Sequence, residues 1–185
     1  AAAAAATPAF AQSFGSISQA DAARGIREAL GLAARNATTR LGATDGFWGN
    51  TRVRIPLPGV LGQSQRTLSR MGMSAPLDNL QRSLNRAAET TMPEAARLFT
   101  DAVRTVTIAD AIQIVRGGET SATTYLRGRT ETRLTTLLRP PMTEALTSSG
   151  AFTLMRTALR EVGLASMTSD LRTEVIDFST TKALD

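Results

Sequence analysis

The sequence contains no cysteine and no histidine, and Lys182 is the single lysine among 21 basic residues. Without cysteine there are no disulfides, no thiol catalysis and no lipid-modified amino-terminal Cys. Without histidine the commonest general base and the commonest transition-metal ligand are gone. The chemistry that remains is that of carboxylates, of an oxygen-ligand metal site, or of Ser or Tyr activated by Lys182. Aromatic residues make up only 4% of the chain, so a core must be built from Ala, Leu, Val, Ile and Met, a composition that favours close helix packing. No stretch approaches the roughly 20 apolar residues that span a bilayer.

What is present is ordinary globular material: 185 residues, 42% of them hydrophobic, enough for one core. The net charge is +5, from 21 basic and 16 acidic residues. The pI of 11.1 overstates that excess, because almost nothing titrates between the carboxylates and arginine. Arginine in this abundance grips phosphate and carboxylate in a planar fork, or simply stands on a solvated face where lysine would serve. The opening "AAAAAATPAFAQSF" has no initiator Met, and Ala9 and Ala11 form an A-x-A cleavage pattern before Gln12. It reads as the remnant of a secretion signal, or else a low-complexity tail, over residues 1–15. Residues 16–185 then form one helical domain, and Ala1 to Ser16 is expected to pack little.

Helix signals recur from Ser18 onward. Ser18 with Asp21 opens an amphipathic run in which Ala22, Ile26, Leu30, Ala33, Ala37 and Leu41 share a face, opposite Arg24, Glu28 and Arg35, until Gly42 ends it. A short helix is predicted over Val60 to Met71. Ser74 then caps another, with Pro76 in its first turn and Leu77, Leu80, Leu84 and Ala88 facing inward. Pro93 marks a fresh start, with Leu98, Phe99, Ala102, Val103 and Val106 as the next stripe. Thr107 with Asp110 repeats the capping pattern, and Gly117 and Gly118 stop that helix. Ser121 to Leu138 is less regular, Pro140 and Pro141 break it, and Phe152, Met155, Leu159 and Val162 follow as a buried face. A last helix begins near Asp170. The expected fold is an all-α multihelical orthogonal bundle of about seven to nine short helices.

Between the first two helices lies "DGFWGNTRVRIPLPG", which holds the only tryptophan. Val53, Ile55 and Leu57 alternate with polar residues or proline, and Pro56 and Pro58 forbid a central strand. Residues 51–59 are therefore predicted as an extended strap over the helices, with Val53, Ile55 and Leu57 inward and Arg52 and Arg54 outward. Asp45, Gly46 and Asn50 supply turn chemistry, with Gly46 and Gly49 free to take positive φ. An oxygen-ligand metal loop would need more carboxylates than Asp45 alone. Phe47 and Trp48 are adjacent, so one plugs the core while the other lies near the surface. Trp48 beside Arg52 and Arg54 makes either a recognition patch or a wedge anchoring the loop. Further on, Arg82, Asn85, Arg86 and Glu89 recur at helical spacing, where a carboxylate and two guanidinium groups project together. Such a cluster clamps an anion, although a solvated charged face has the same pattern. "VRGGETS" superficially suggests a phosphate cradle, but no G-K-[ST] follows and its glycines read as a helix break.

"SQADAARGIREAL", "DGFWGNTRVRIPLPG", "LNRAAE" followed by "PEA", "GGETSATTYLR" and "TTKALD" occur in an order that resembles the bacterial family named domain of unknown function 4197. The resemblance covers about Ser16 to Asp185. It implies an exported, all-helical protein of Gram-negative bacteria, with no established activity and no catalytic residues to carry over. It also implies that members continue past "KALD" into a further apolar and then charged helical stretch. With Leu171, Val175, Phe178 and Leu184 on the final helix, that suggests an apolar groove beside it and self-association there.

The function expected from all this is that of a non-enzymatic periplasmic protein binding a protein partner or an apolar ligand, without a cofactor or a bound metal. The candidate binding residues are Asp45, Trp48, Asn50, Arg52, Arg54, Arg82, Asn85, Arg86 and Glu89. A carboxylate-dependent hydrolase acting through Glu89 or Asp45 is the first alternative. Arginine-mediated binding of nucleic acid or another anion is the second; against nucleic acid, the arginines are interspersed with acids and few aromatics accompany them.

Overall fold

A computed structural model describes residues 18–161 and 167–185, apart from the side chains of residues 155 and 158–161. The described residues contain seven helices and no strand: α1 (Gln19–Gly42), α2 (Gly59–Ser69), α3 (Ala75–Arg104), α4 (Ile108–Arg116), α5 (Ser121–Ser148), α6 (Gly150–Glu161) and α7 (Met167–Leu184). The chain is an all-α multihelical bundle. The central helix is α3, with α1 and α5 packed along it, α7 on α5, and α4 bridging α1 and α5.

Local chemistry explains the helix starts. The Ser18 hydroxyl oxygen accepts the Asp21 N–H at 3.1 Å and caps α1. Thr107 and Asp110 form a reciprocal capping box at α4, and the Thr107 N–H donates to the Asp110 carboxylate at 2.9 Å. Ser74 precedes α3 as expected, but its hydroxyl donates to the Asp78 carboxylate instead of capping the backbone.

Three expectations are corrected. Pro93 does not start a helix: it lies inside α3, which runs unbroken for 30 residues. Pro140 and Pro141 do not break α5, which runs for 28 residues through both. The helices are therefore longer than the proline pattern implies, although their number among the described residues, seven, lies within the expected range. An interior proline costs a helix about 3 kcal/mol, whereas burying one Leu or Met side chain returns about 1.5–3 kcal/mol. Met92 and Ala95 flank Pro93, and Leu138, Met142 and Leu146 surround the proline pair, all buried. Tertiary packing therefore outweighs the local rule.

The third correction concerns the face of α1. Ala23, Leu30, Gly31 and Thr38 are its buried residues, while Ala22, Ala33 and Ala37 are exposed. The helix is rotated relative to the alanine stripe so that Gly31 meets the α3 side chain Val103. The last helix begins at Met167, three residues before Asp170. Phe152 is half-buried; the Met155, Leu159 and Val162 side chains and the segment Ala1 to Ser16 lie outside the described residues.

Buried apolar side chains form two clusters. The larger joins Ile55, Leu57, Leu84, Leu138, Met142 and Val175 among others. The smaller consists of Ala23, Leu30, Val103, Val106, Ala111 and Ile114, at the other ends of α1 and α3. Arg27 reaches the Val106 carbonyl at 2.7 Å and joins α1 to the end of α3 beside that second cluster.

Candidate functional site

The chain leaves α1 at Gly42, where an added Cβ would stand 2.9 Å from the Cβ of Met92, so only glycine lets α1 end this close to α3. A tight turn follows, with Gly46 N–H bonded to the Ala43 carbonyl and Gly49 N–H to that of Asp45. Positive φ falls on Asp45, at 62°, and on neither Gly46 nor Gly49, which corrects the expected role of those glycines. Gly46 is required for space: a Cβ there would lie 2.4 Å from the Leu41 carbonyl oxygen.

This turn exposes backbone N–H groups at its start, and α3 supplies the anion that satisfies them. The Glu89 carboxylate accepts from the N–H groups of Asp45 at 3.2 Å, Phe47 at 3.1 Å and Trp48 at 3.2 Å. Arg86 donates to the same carboxylate at 2.6 Å and to Asp45 at 3.3 Å. Glu89 is buried, and with two donors on each oxygen its lone pairs are fully used. One helical turn earlier, the buried Asn85 holds the strap. Its Oδ1 accepts from Ile55 N–H at 2.8 Å, and its Nδ2 donates to the Ile55 carbonyl at 2.9 Å and to the Gln81 carbonyl at 2.8 Å. Asn50 turns the chain into the strap by accepting the Arg52 N–H at 3.1 Å.

Phe47 is the residue that enters the core, and Trp48 lies half-buried above it. Two guanidinium groups lie over the Trp48 ring, Arg54 at 4.7 Å and Arg82 at 4.9 Å from its centroid. Arg54 is not turned outward as expected; it folds back, half-buried, and its Nε donates to the Trp48 carbonyl at 2.5 Å. Val53 is half-buried, Ile55 and Leu57 are buried, and Arg52 is exposed, as the alternation predicts. All nine candidate residues thus lie on the turn, on the strap or on the α3 face beneath it.

A second feature lies beside the strap. An apolar groove of about 480 Å³ opens between α1, α5 and the end of α7, with Phe47, Met92, Ala95, Phe99, Leu134 and Leu138 in its walls. It continues as a channel of about 280 Å³ past the exposed Ala33 and Ala37, sharing Phe99, Leu134 and Leu184. At the rim Asp185 accepts from Lys182 at 2.8 Å and from Arg127 at 3.1 Å. Those bonds, Lys182 first, hold its carboxyl below the ordinary value. Among the described residues no group of three or more carboxylates is placed to hold a metal ion, and no helix is long and apolar enough to cross a membrane.

Residues 16–185 match the profile of a protein family of unknown function, DUF4197. The chain belongs to that family. No curated protein and no solved structure matches it.

The residues that line the groove in this DUF4197 chain escape sequence reasoning. Ala37, Phe99, Leu134 and Leu184 come from four helices and share no motif. Their one local signal is the alanine stripe of α1, which is apolar yet left uncovered. Gln81, which donates to the Ile55 carbonyl at 3.1 Å, was also missed, although it stands one helical turn before Asn85.

Proposed function

We propose that this chain is an exported, non-enzymatic binding protein that holds an apolar ligand in the groove between α1, α5 and α7. The observation that carries the reading is the groove itself: concave, walled by Phe, Met and Leu side chains, and within the roughly 300–1,000 Å³ typical of small-molecule sites. The strap with its turn is the scaffold that forms one wall. Export rests on the A-x-A pattern at Ala9 and Ala11.

The bonding of Glu89 supports a structural role over a hydrolytic one. A general base needs a free lone pair facing substrate, and Glu89 would have to release a backbone N–H or Arg86 to provide it. A second reading, recognition of an acidic protein partner, is favoured by one observation. Arg54 and Arg82 both lie over the Trp48 ring, and neither has a carboxylate within 4.0 Å among the described residues.

The groove reading is tested with an uncharged fluorescent probe, N-phenyl-1-naphthylamine. Saturable one-to-one binding is expected, weakened about tenfold or more by Ala37→Phe, which fills the channel from an exposed position that belongs to neither buried cluster. Absence of saturable binding, or binding indifferent to Ala37→Phe, overturns the reading. Self-association through the Leu184 rim would compete with the probe and appear as a concentration-dependent apparent affinity.

A further inference from the structure

We infer that the groove's ligand is a single-chain amphiphile with an anionic carboxylate head, its tail along Phe99, Leu134 and the α1 channel, and its head against Arg52 and Arg54. The inference rests on the groove reading and deepens it. Three cations line the larger groove, Arg52, Arg54 and Lys182, together with one acidic side chain, Asp185. Lys182 is compensated by Asp185, which also takes Arg127. Arg127 in turn is shared with Glu131. What remains uncompensated is the strap pair: among the described residues, no carboxylate lies within 4.0 Å of Arg52 or Arg54. Two neighbouring guanidinium groups without a counter-charge, at the edge of an apolar cavity, are complementary to an anion tethered to an apolar chain.

The geometry of Arg54 adds to this. Its Nε is spent on the Trp48 carbonyl and its central carbon stands 4.7 Å from the centre of the Trp48 ring, so the guanidinium is held in place with its two terminal nitrogens left for a ligand. A carboxylate matches that planar edge with paired hydrogen bonds. An alcohol head would make one neutral bond, and a quaternary ammonium head would meet two like charges. The tail has somewhere to go because the larger groove and the α1 channel share Ala37, Phe99, Thr123, Leu134 and Leu184, together with Asp185, whose carboxylate is taken by Lys182 and Arg127. This makes an elongated path, open at the strap end to the two arginines.

The test uses three probes with one tail and different heads, below their micellar concentrations: dodecanoate, dodecanol and dodecyltrimethylammonium. Binding is read by calorimetry and by the fluorescence of Trp48, the chain's only tryptophan, which reports on Arg54 directly. Dodecanoate is expected to bind about tenfold or more tighter than dodecanol, and the ammonium more weakly than either. Arg52→Gln with Arg54→Gln should bring the ratio of dodecanoate to dodecanol affinity, measured on the same variant, down to about one. Because Arg54 also holds the turn, Arg52→Gln alone is the control for folding. That side chain is exposed, and only its backbone N–H is bonded to Asn50, so it should remove part of the preference with no loss of stability. Equal binding of dodecanoate and dodecanol, or a preference that survives the double variant, overturns the head-group assignment and leaves the groove reading standing. Binding of none of the three overturns the groove reading and the inference with it.

Discussion

Asn85 completes the peptide group of Ile55, accepting from its N–H at 2.8 Å and donating to its carbonyl at 2.9 Å, with both residues wholly buried. The side-chain amide on α3 thus does for the strap what a neighbouring strand does in a sheet. Asn85→Ala leaves a buried N–H and a buried carbonyl without this partner, and should cost about 2–3 kcal/mol in urea denaturation. Ile55→Ala should cost about 2–5 kcal/mol through the cavity it leaves. Arg54→Ala should cost markedly less than either. Small and equal effects of all three would mean that the strap is not anchored as described.

Glu89→Gln keeps the side chain's shape but replaces one oxygen with a donor that faces backbone N–H groups or Arg86. The expected loss is about 2–4 kcal/mol, measured by thermal or urea unfolding. If Glu89 were instead a hydrolytic base, the variant would fold with near-normal stability and lose only activity. That outcome would restore the hydrolase alternative.

Pro93 interrupts the ladder of α3 without ending it. Pro93→Ala restores one N–H at an exposed position and should stabilise the protein by about 1–2 kcal/mol, the helix gain being partly offset by a freer unfolded chain. Destabilisation would show that the proline shapes the helix in a way the packing requires.

The Asp110 carboxyl is held below its ordinary 3.8, first by the Thr107 backbone N–H and then by the Thr107 hydroxyl. A folded-state value below the unfolded one contributes stability that is fully present above the unfolded value and is lost as pH falls through the folded one. Acid titration should therefore fray α4 below about pH 4, and Asp110→Asn should remove that step. Helix content followed by far-UV circular dichroism checks it; an identical acid profile in the variant would contradict the assignment.

What could be read in advance was whatever is decided within a few residues. The caps Ser18–Asp21 and Thr107–Asp110 are local hydrogen-bonding patterns, and they lie where the sequence places them. The strap was legible in part: Pro56, Pro58 and the alternation of Val53, Ile55 and Leu57 leave few other conformations for residues 54–58, but residues 51–53 form a turn, with the Val53 and Arg54 N–H groups on the Asn50 carbonyl, and Gly59 already belongs to α2. Pro93 and Pro140–Pro141 were misread because a breaker is a local penalty, and it was outweighed by side chains contacting residues far along the chain. The face of α1 was misjudged because alanine gives almost no directional signal, whereas Gly31 and Thr38, which look like surface residues, sit against α3. At the site, the residue types around Glu89 were picked out, but its partners were not. Nothing local connects a carboxylate to amides 41 to 44 positions away.

The two separate clusters along α1 and α3 imply that one helix can report two different opening energies. Around Leu84, α3 is fastened to the strap, α5 and the larger core; around Val103 it is held by the smaller six-residue cluster with α1 and α4, against which Ala122, Tyr125 and Leu126 at the start of α5 are only partly buried. Amide hydrogens of Ile108–Arg116 and of the last turns of α3 should therefore exchange through a low-energy, sub-global opening, while those near Leu84 exchange only when the whole molecule unfolds. The groove-bearing half would thus stay intact while the α4 end opens and closes as a cooperative unit of its own.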